Sequence, residues 1–243
     1  MTSAGHHIMM QGAAPVGPSA RDYPQQGLVR LWDAIENAGW GTHAADPRSW
    51  LDCIAGATMD TSVYPLQFTL PQFLGNKVAF NGTDNGLSAA NPLTQSTDFT
   101  IQLPLSTQNG TCTYWVPFTT LSGNSYERIQ ANMEGTPRVH IVMWGGVLTV
   151  NVGTQTLADK TGTLTLIWTA SGEKLVVWFR GTRKGQMNMS SSTASSLIFV
   201  RPYLNIGGDP QGDWENSFFC GDIFGLRIYN RALTDAEIVQ SAQ

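Results

Sequence analysis

The sequence is short of charged residues. Only 13% of its 243 residues are Asp, Glu, Lys or Arg, against roughly 25% in ordinary soluble proteins. The net charge is −4, and the only basic cluster is the short stretch from Arg180 to Lys184. A nucleic-acid-binding domain normally carries a stripe of cations that pairs with phosphates. We therefore expect no nucleic-acid partner.

Cysteine is also scarce. The three cysteines, Cys53, Cys112 and Cys220, lie far apart in the sequence. No CxxC or HxxxH pair offers the close ligands that a zinc site needs. Buried free thiols are the first interpretation, and one disulfide among the three is the alternative.

Long apolar runs are missing as well. No window approaches the roughly 20 apolar residues of a membrane span, and the N terminus lacks the apolar core of a signal peptide. We therefore expect no membrane contact. If the protein acts outside cells, we expect it to leave by lysis or on a particle.

Residues suited to a core are plentiful. Hydrophobic residues make up 42% of the chain, with eight Trp, ten Phe and six Tyr, which is enough apolar area for one large domain. Residues 1–26 differ, because they are rich in Gly, Pro and small residues and show no periodicity. They predict an extended N-terminal arm that a partner holds in place, followed by one domain over residues 27–243.

The domain has the patterning of a β-sandwich. Residues 163–169 alternate apolar and polar side chains, Ser171-Gly172 predicts a turn, and residues 174–180 return as the second strand of a hairpin. Near the C terminus, Thr234 followed by Glu237 predicts a capping box and a short helix over residues 235–242 that seals one end of the sandwich. Further strands are predicted at 28–32, 77–80, 99–103, 114–119, 125–131, 138–143, 147–151, 197–203 and 218–229.

The C-terminal third contains a specific motif. It reads Asn205-Ile-Gly-Gly208, then a loop, then FCGDIFGLRIYNRALTDAEI over residues 219–238. This segment resembles the closing segment of laminin-G-like (concanavalin A-like) jelly rolls. Shorter stretches at 27–33, 78–82 and 175–181 resemble the same family. The resemblance implies an all-β fold, a two-sheet antiparallel jelly-roll sandwich, with Ile223, Leu226 and Ile228 in its core.

The first strand carries a second resemblance. The stretch Leu31-Trp-Asp-Ala-Ile-Glu-Asn-Ala-Gly39, leading to Trp50-Leu-Asp52, is similar to laminin-G-like proteins from phage and prophage structural regions. It implies a bacteriophage virion component: a capsid decoration, head fibre or tail-associated protein on the particle surface. Residues 1–26 would contact other virion proteins, the chain would form a homo-oligomer such as a trimer, and the jelly roll would bind a host surface glycan. The alternative is a carbohydrate-binding or adhesion module of a bacterial surface protein.

Catalytic patterns are weak. Glycoside hydrolases on this fold carry an E-x-D-x-x-E strand that supplies an acid and a nucleophile, and the sequence has no such run. Asp213-Trp-Glu215 comes nearest but lacks the third carboxylate. His140 lies inside a predicted strand, where a structural role is expected. We therefore expect a protein that is not an enzyme, with a glycoside hydrolase as the remaining alternative.

Two kinds of binding site are candidates. The resemblance implies calcium as the one cofactor to consider, and loop carboxylates are the ligands that calcium prefers. Aromatic residues flanked by Gly or polar residues are candidates for stacking on sugar rings. The candidate calcium ligands are Asp84, Asp209 and Asp213, and the candidate stacking residues are Trp40, Tyr203 and Trp214.

Overall fold

Antiparallel strands form nearly all of the regular structure. The computed structural model describes residues 23–34, 49–66, 68–74, 76–93, 97–107, 117–121, 128–132, 138–143, 146–151, 161–188, 202–208 and 218–242. In chain order, its elements are β1 (Leu28–Asp33), β2 (Trp50–Leu51), β3 (Thr58–Met59), β4 (Gln72–Phe73), β5 (Val78–Asn81), β6 (Leu87–Ala90), β7 (Phe99–Thr107), β8 (Phe118–Leu121), β9 (Arg128–Asn132), β10 (Arg138–Met143), β11 (Gly146–Asn151), β12 (Gly162–Thr169), β13 (Lys174–Phe179), β14 (Thr182–Asn188), β15 (Tyr203–Ile206), β16 (Cys220–Ile223), β17 (Gly225–Tyr229) and the helix α1 (Asp235–Ser241).

Two large sheets pack face to face. The nine-stranded sheet runs β14-β13-β12-β7-β16-β5-β4, with β17 also paired to β7 and β1 paired to β17. The six-stranded sheet runs β11-β10-β9-β8-β15-β6, and β2 pairs with β3 in a small separate sheet. This is the predicted two-sheet antiparallel sandwich.

One apolar core fills the space between the sheets. The nine-stranded sheet contributes residues such as Leu164, Leu166 and Trp168, and the six-stranded sheet contributes Leu204 and Ile206. Each fully buried side chain of this kind stabilises the fold by about 1.5–3 kcal/mol. The core positions predicted from the C-terminal motif are confirmed, because Ile223, Leu226 and Ile228 are all buried.

A second apolar cluster covers the outer face of the nine-stranded sheet. It joins Ile167, Val176 and Trp178, on the strand faces turned away from the main core, to Ile238 of α1. The predicted helix and its capping box are confirmed. The helix does not seal one end of the sandwich, as was expected. Side chains alternate along β12 and β13, which puts an apolar stripe on the outer face of the nine-stranded sheet, and the helix packs on that stripe.

Three buried polar side chains beneath α1, those of Gln102, Tyr229 and Ser241, are linked by hydrogen bonds. Gln102 Nε2 donates to Ser241 Oγ at 2.6 Å, and the hydroxyl of Tyr229 donates to Gln102 Oε1 at 3.5 Å. Burial raises the pKa of Tyr229 above its usual range, so this phenol stays neutral. The helix is therefore fixed to the sheet by hydrogen bonds as well as by apolar contact.

The N-terminal segment packs on the same face. Tyr23 is only 4% exposed, and its ring lies 4.2 Å from the guanidinium carbon of Arg227, a buried residue of β17. Arg231 Nε donates to the carbonyl of Gln26 at 2.9 Å. The domain therefore begins no later than Tyr23, and the predicted boundary at residue 27 moves toward the N terminus. The rest of the predicted arm, residues 1–22, lies outside the described residues.

The cysteines differ from the first interpretation. Cys220 on β16 is disulfide-bonded, and Cys53 is an exposed thiol. The prediction of buried free thiols is therefore wrong for both Cys53 and Cys220. The alternative prediction, that one disulfide forms, is confirmed. The third cysteine of the chain, Cys112, lies outside the described residues.

Several strand boundaries also differ from the sequence prediction. The region predicted as one strand at 218–229 is two, β16 and β17, which join the sheet at different places. The strands β6 and β14 were not predicted, because LSAA and TRKGQMN each contain only one large apolar residue, Leu87 and Met187. In the 163–180 hairpin, which is confirmed, the turn is a 3-10 turn at Ala170–Gly172 that ends on Glu173 with φ 44°. No helix among the described residues is both long and apolar enough to span a membrane.

We predict that Gly207→Ala destabilises the domain by about 2–5 kcal/mol. Gly207 has φ +82°, and an added Cβ would overlap the ring of Phe80 and approach the carbonyl oxygen of Asn85 to 2.9 Å. The control is Gly56→Ala, where φ is +69° but nothing lies within 4 Å of the added Cβ, so only the left-handed backbone costs about 1–2 kcal/mol. Urea unfolding measures both, and equal losses would contradict the packing argument.

We predict that the ion pair between Arg231 and Glu237 makes the fold less stable in acid. Its two hydrogen bonds of 2.9 and 2.6 Å are the main cause that lowers the pKa of Glu237 from 4.5 to about 2. A carboxyl with a lowered folded pKa stabilises the fold above its unfolded pKa and loses that contribution as pH falls through the folded value.

The free energy of unfolding should therefore decrease as the pH is lowered from about 5 to 2. In Glu237→Gln this decrease should be smaller. Arg231→Gln should reduce the decrease by the same amount. The double variant should reduce it no further, because the two groups act as one unit. Urea unfolding at several pH values measures this. An unchanged pH dependence in Glu237→Gln would overturn the assignment.

Candidate functional site

The strand β15 separates an apolar face from a polar one. Leu204 and Ile206 are fully buried in the core between the sheets. Because side chains alternate along a strand, Asn205 lies on the opposite face, which we call the outer face of the six-stranded sheet. The burial of Leu204 and Ile206 in the core therefore also fixes the position of Asn205 on the outer face.

A polar row crosses the whole six-stranded sheet at the level of Asn205. The registered pairs are Asn205 with Ser88 and Thr119, Thr119 with Gln130, Gln130 with His140, and His140 with Thr149. Adjacent strands are about 4.8 Å apart, so the row is about 24 Å long. From one edge strand to the other, the polar row is Thr149, His140, Gln130, Thr119, Asn205 and Ser88.

Two further rows flank the polar row on the same face. On one side, Arg138 is registered between Asn132 and Asn151. The flanking row on the other side mixes apolar and polar residues and includes Arg128 and Tyr203. No position of these rows on the six strands is Asp or Glu, but Asp60 is paired with Ser88 and continues the polar row beyond β6. In the second flanking row, Val142 is registered with Val147 and Arg128, and Tyr203 is registered with Leu121 and Ala90.

Exposure changes along the polar row. Thr149 at one end is exposed, as is Asn151 in the flanking row, whereas Ser88, Asn205 and Thr119 are at most 2% exposed. At the buried end, the Ser88 hydroxyl donates to Asn205 Oδ1 at 2.6 Å. The face is thus open at one edge strand and enclosed near the other.

Two polar atoms at the enclosed end have no hydrogen-bond partner among the described residues. They are Nδ2 of Asn205 and Oγ1 of Thr119, on adjacent strands and at the same register. A buried polar group without a partner costs about 1–3 kcal/mol, so such groups call for an explanation, and a binding role is one. The enclosed end therefore offers a free amide donor and a free hydroxyl.

A chain of aromatic rings borders the enclosed end. Tyr203 contacts Tyr64 edge to face with ring centroids 6.1 Å apart, Tyr64 contacts Phe68 at 5.7 Å, and Phe68 contacts Phe218 at 6.1 Å. Phe68 also fills the space beside Gly86, just before β6. Since Tyr64 and Phe68 are almost fully buried, they hold the half-buried rings of Tyr203 and Phe218 in place.

Tyr203 is the one predicted stacking residue that lies within the described part of the chain. It is half-buried and lies on the outer face beside the polar row, a position that suits stacking on a sugar. Its stacking role stays a prediction. The other two candidates, Trp40 and Trp214, lie outside the described residues.

Only Asp84 of the three predicted calcium ligands lies among the described residues. Asp84 lies in the turn between β5 and β6, where its carboxylate accepts a hydrogen bond of 2.8 Å from Asn81 Nδ2. Asn81 Oδ1 in turn accepts from the backbone N–H of Thr83 and Asp84, which is the local bonding typical of turn-forming Asx residues. Asp209 and Asp213 lie outside the described residues. Within the described ranges, no three His, Cys, Asp or Glu side chains are grouped closely enough to hold a metal, and calcium binding stays a prediction.

The polar row was missed as a site from sequence. His140 was expected to have a structural role, but register places it in the polar row. A signal existed, because Asn205, Gln130, His140 and Thr149 each stand between two apolar residues. What the sequence could not supply was the register that aligns them.

The fold and its sequence can now be compared with known proteins. The sequence profile described as the concanavalin A-like lectin/glucanases superfamily, of laminin-G type, matches residues 81–239. The chain belongs to this superfamily. The predicted laminin-G-like and concanavalin A-like identity is thereby confirmed. Because the superfamily includes both lectins and glucanases, membership leaves open whether a member is an enzyme.

Solved structures of sialidases are similar to this superfamily member. Trypanosoma rangeli sialidase in complex with 2,3-difluorosialic acid has a TM-score of 0.65 and 14% identity, covering 96% of this chain and 35% of that one. NanB sialidase from Streptococcus pneumoniae has a TM-score of 0.52 and 13% identity, covering 70% and 28%. The chain thus spans about a third of the length of these enzymes. At such identities, the likeness shows the fold alone.

The CBM40 module of Ruminococcus gnavus IT-sialidase, bound to α2,3-sialyllactose, has a TM-score of 0.49 and 14% identity, covering 60% of this chain and 83% of that one. No curated protein has significant sequence similarity to the chain.

Proposed function

We propose that the chain is a non-catalytic glycan-binding module whose ligand lies against the outer face of the six-stranded sheet. The observation that carries the proposal is the polar row, in which five of the six registered residues carry a hydroxyl or an amide group. Asp60, which is paired with Ser88, is the one carboxylate residue that the described pairings place next to this row. Sugars present many hydroxyl groups, which amide and hydroxyl side chains can bind as donors or acceptors. Hydrolysis of a glycosidic bond would need two carboxylates beside it.

Tyr203 adds an apolar surface to this polar face. An aromatic ring packs on the apolar face of a sugar through dispersion and burial of apolar area. Since Tyr64 fixes one side of the Tyr203 ring at a centroid distance of 6.1 Å, the ring loses little freedom when a ligand binds. A row of hydrogen-bonding residues with a fixed aromatic ring beside it is a combination that suits an oligosaccharide.

We expect Thr149→Trp to weaken glycan binding at least about tenfold, which corresponds to about 1.4 kcal/mol. Thr149 is exposed on the edge strand β11, so the indole would cover the open end of the polar row. The matched control is Thr182→Trp, an exposed threonine on the edge strand β14 of the other sheet. Trp suits β-strands, so both variants should keep the fold.

A glycan microarray of the full chain identifies a ligand, and calorimetry with that glycan compares the variants. Equal affinity of Thr149→Trp and the unchanged protein would show that this face is not the site. Absence of binding on the array would overturn the proposal. Release of cleaved sugar during incubation would overturn its non-catalytic part.

We further propose that the module is a bacteriophage virion component, anchored to other virion proteins through its N-terminal arm. The short match of residues 31–39 to phage structural proteins and the low charge support this. So does the placement of Tyr23 on the outer face of the nine-stranded sheet, because an anchor that joins the domain there leaves the polar row free on the opposite side. An adhesion module of a bacterial surface protein is the alternative.

A chain that starts at Tyr23 tests the role of the arm. It keeps the contact between Tyr23 and Arg227, so its melting temperature should equal that of the full chain. Light scattering should give the mass of a homo-oligomer, such as a trimer, for the full chain and of a monomer for the shortened one. Equal masses would contradict assembly through residues 1–22.

A further inference from the structure

A segment of the chain crosses the enclosed end of the polar row. We call residues 60–66 and 68–69 the strap. The first residue of the strap exchanges two backbone hydrogen bonds, of 3.0 and 2.7 Å, with Ser88. The last residue accepts a backbone hydrogen bond of 3.2 Å from Gly86. Both ends of the strap are therefore fixed beside β6.

Two aromatic rings of the strap lie over the polar row. The Phe68 ring covers Gly86, where an added Cβ would come within 2.5 Å of it, and Gly86 shares a face with Ser88 two residues later. The Tyr64 ring contacts the ring of Tyr203 at 6.1 Å and that of Phe68 at 5.7 Å. Gly86 and Tyr203 lie on either side of the point where the polar row crosses β6 and β15. The two rings therefore span this point, which accounts for the burial of the polar residues there.

The polar groups beneath the strap oppose its closed position. Asn205 Nδ2 and Thr119 Oγ1 are fully buried and have no partner among the described residues, so they have lost the hydrogen bonds that water would supply. Lifting the strap would restore those bonds but expose the rings of Tyr64 and Phe68, which are almost fully buried. The two effects are similar in size and opposite in sign. The strap is therefore held closed by a small margin.

Resting on the function proposed above, we propose that the strap is a lid over a subsite that binds the terminal sugar of a neutral glycan. The Asn205 amide donates hydrogen bonds and the Thr119 hydroxyl donates or accepts them, so both suit the hydroxyl groups of a sugar. Because both groups are already desolvated, a sugar that pairs with them also relieves their missing hydrogen bonds.

The two ends of the polar row indicate which part of a glycan lies beneath the strap. The row is open at Thr149 on the edge strand β11 and covered at the strap. A glycan along the row can continue past the open edge but not past the strap, so its terminal sugar lies at the covered end. The carboxylate residue Asp60 is paired with the row at this end, and its negative charge favours a neutral sugar over an anionic one.

Thr119→Val separates a binding role from a structural one. Valine has nearly the same shape but lacks the unpartnered hydroxyl, so the melting temperature should stay the same or rise. Affinity for the glycan should decrease about fivefold or more, as expected for one lost hydrogen bond. The matched control is Thr100→Val on the other sheet, where the hydroxyl donates to the carbonyl of Arg231 at 2.8 Å and accepts from the N–H of Leu233 at 3.0 Å. It should lower the melting temperature and leave the affinity unchanged.

Gly86→Ala tests the lid. The added Cβ would come within 2.5 Å of the Phe68 ring and should hold the strap partly open. A protein whose binding-competent state is more populated binds with less conformational cost, so the association rate should increase about threefold or more. The matched control is Gly172→Ala in the turn after β12, where no atom lies closer than 3.9 Å to the added Cβ, and its association rate should be unchanged.

The probes are short neutral oligosaccharides of glucose, galactose and N-acetylglucosamine, printed on an array through their reducing ends. Surface plasmon resonance with those that bind the full chain gives the affinity and association rate of each variant. Methylation of the hydroxyl groups of the terminal sugar should weaken binding about tenfold or more, because several hydrogen bonds are lost.

Unchanged affinity in Thr119→Val, or for the methylated probes, would overturn the subsite. An unchanged association rate in Gly86→Ala would overturn the lid. A full chain that binds only anionic glycans would also overturn this inference but leave the proposed glycan-binding function standing. Binding to no glycan, neutral or anionic, would overturn both.

Discussion

The two-residue alternation of β15 is the constraint on which the rest of the site depends. Leu204 and Ile206 must face the core, because both are fully buried between the sheets, and this leaves Asn205 no other face. A slip of one residue would put the amide in the core and the two aliphatic side chains outside. The hydrogen bond from Ser88 to Asn205 and the pairing with β8 then extend the same alternation across the sheet.

The two outer faces of the sandwich are used differently. Both described ends of the chain cover the nine-stranded sheet: Tyr23 packs on Arg227, and α1 packs on Ile167 and Trp178. The six-stranded sheet has polar residues where its partner has an apolar stripe, and its edge at Thr149 is exposed. A protein that needed stability alone would gain by replacing the unpartnered Thr119 hydroxyl with an apolar group of the same shape. Retaining such polar groups is expected where stability is given up for binding.

Much of the fold could be predicted from the sequence, whereas the site could not. The 163–180 hairpin, the core positions Ile223 and Leu226 and the Thr234 capping box depend on residues close in sequence, where periodicity and capping rules apply. The polar row joins residues as far apart as Ser88 and Asn205, and their alignment depends on which strands become neighbours. The strands β6 and β14 were missed because their small and charged residues suit positions that only the finished sandwich creates. The packing of Tyr23 was missed because it depends on a buried arginine about two hundred positions later in the sequence.

The central claim is that a ligand binds the outer face of the six-stranded sheet, and hydrogen–deuterium exchange tests it most directly. The full chain would be compared with and without a saturating amount of its tightest-binding glycan. Slower exchange should appear in peptides that contain β8, β9, β10 and β15, and should be absent from peptides that contain β12, β13 and β14. Protection confined to the turn at Asn81–Asn85, or to the nine-stranded sheet, would contradict the account and move the site to another part of the domain.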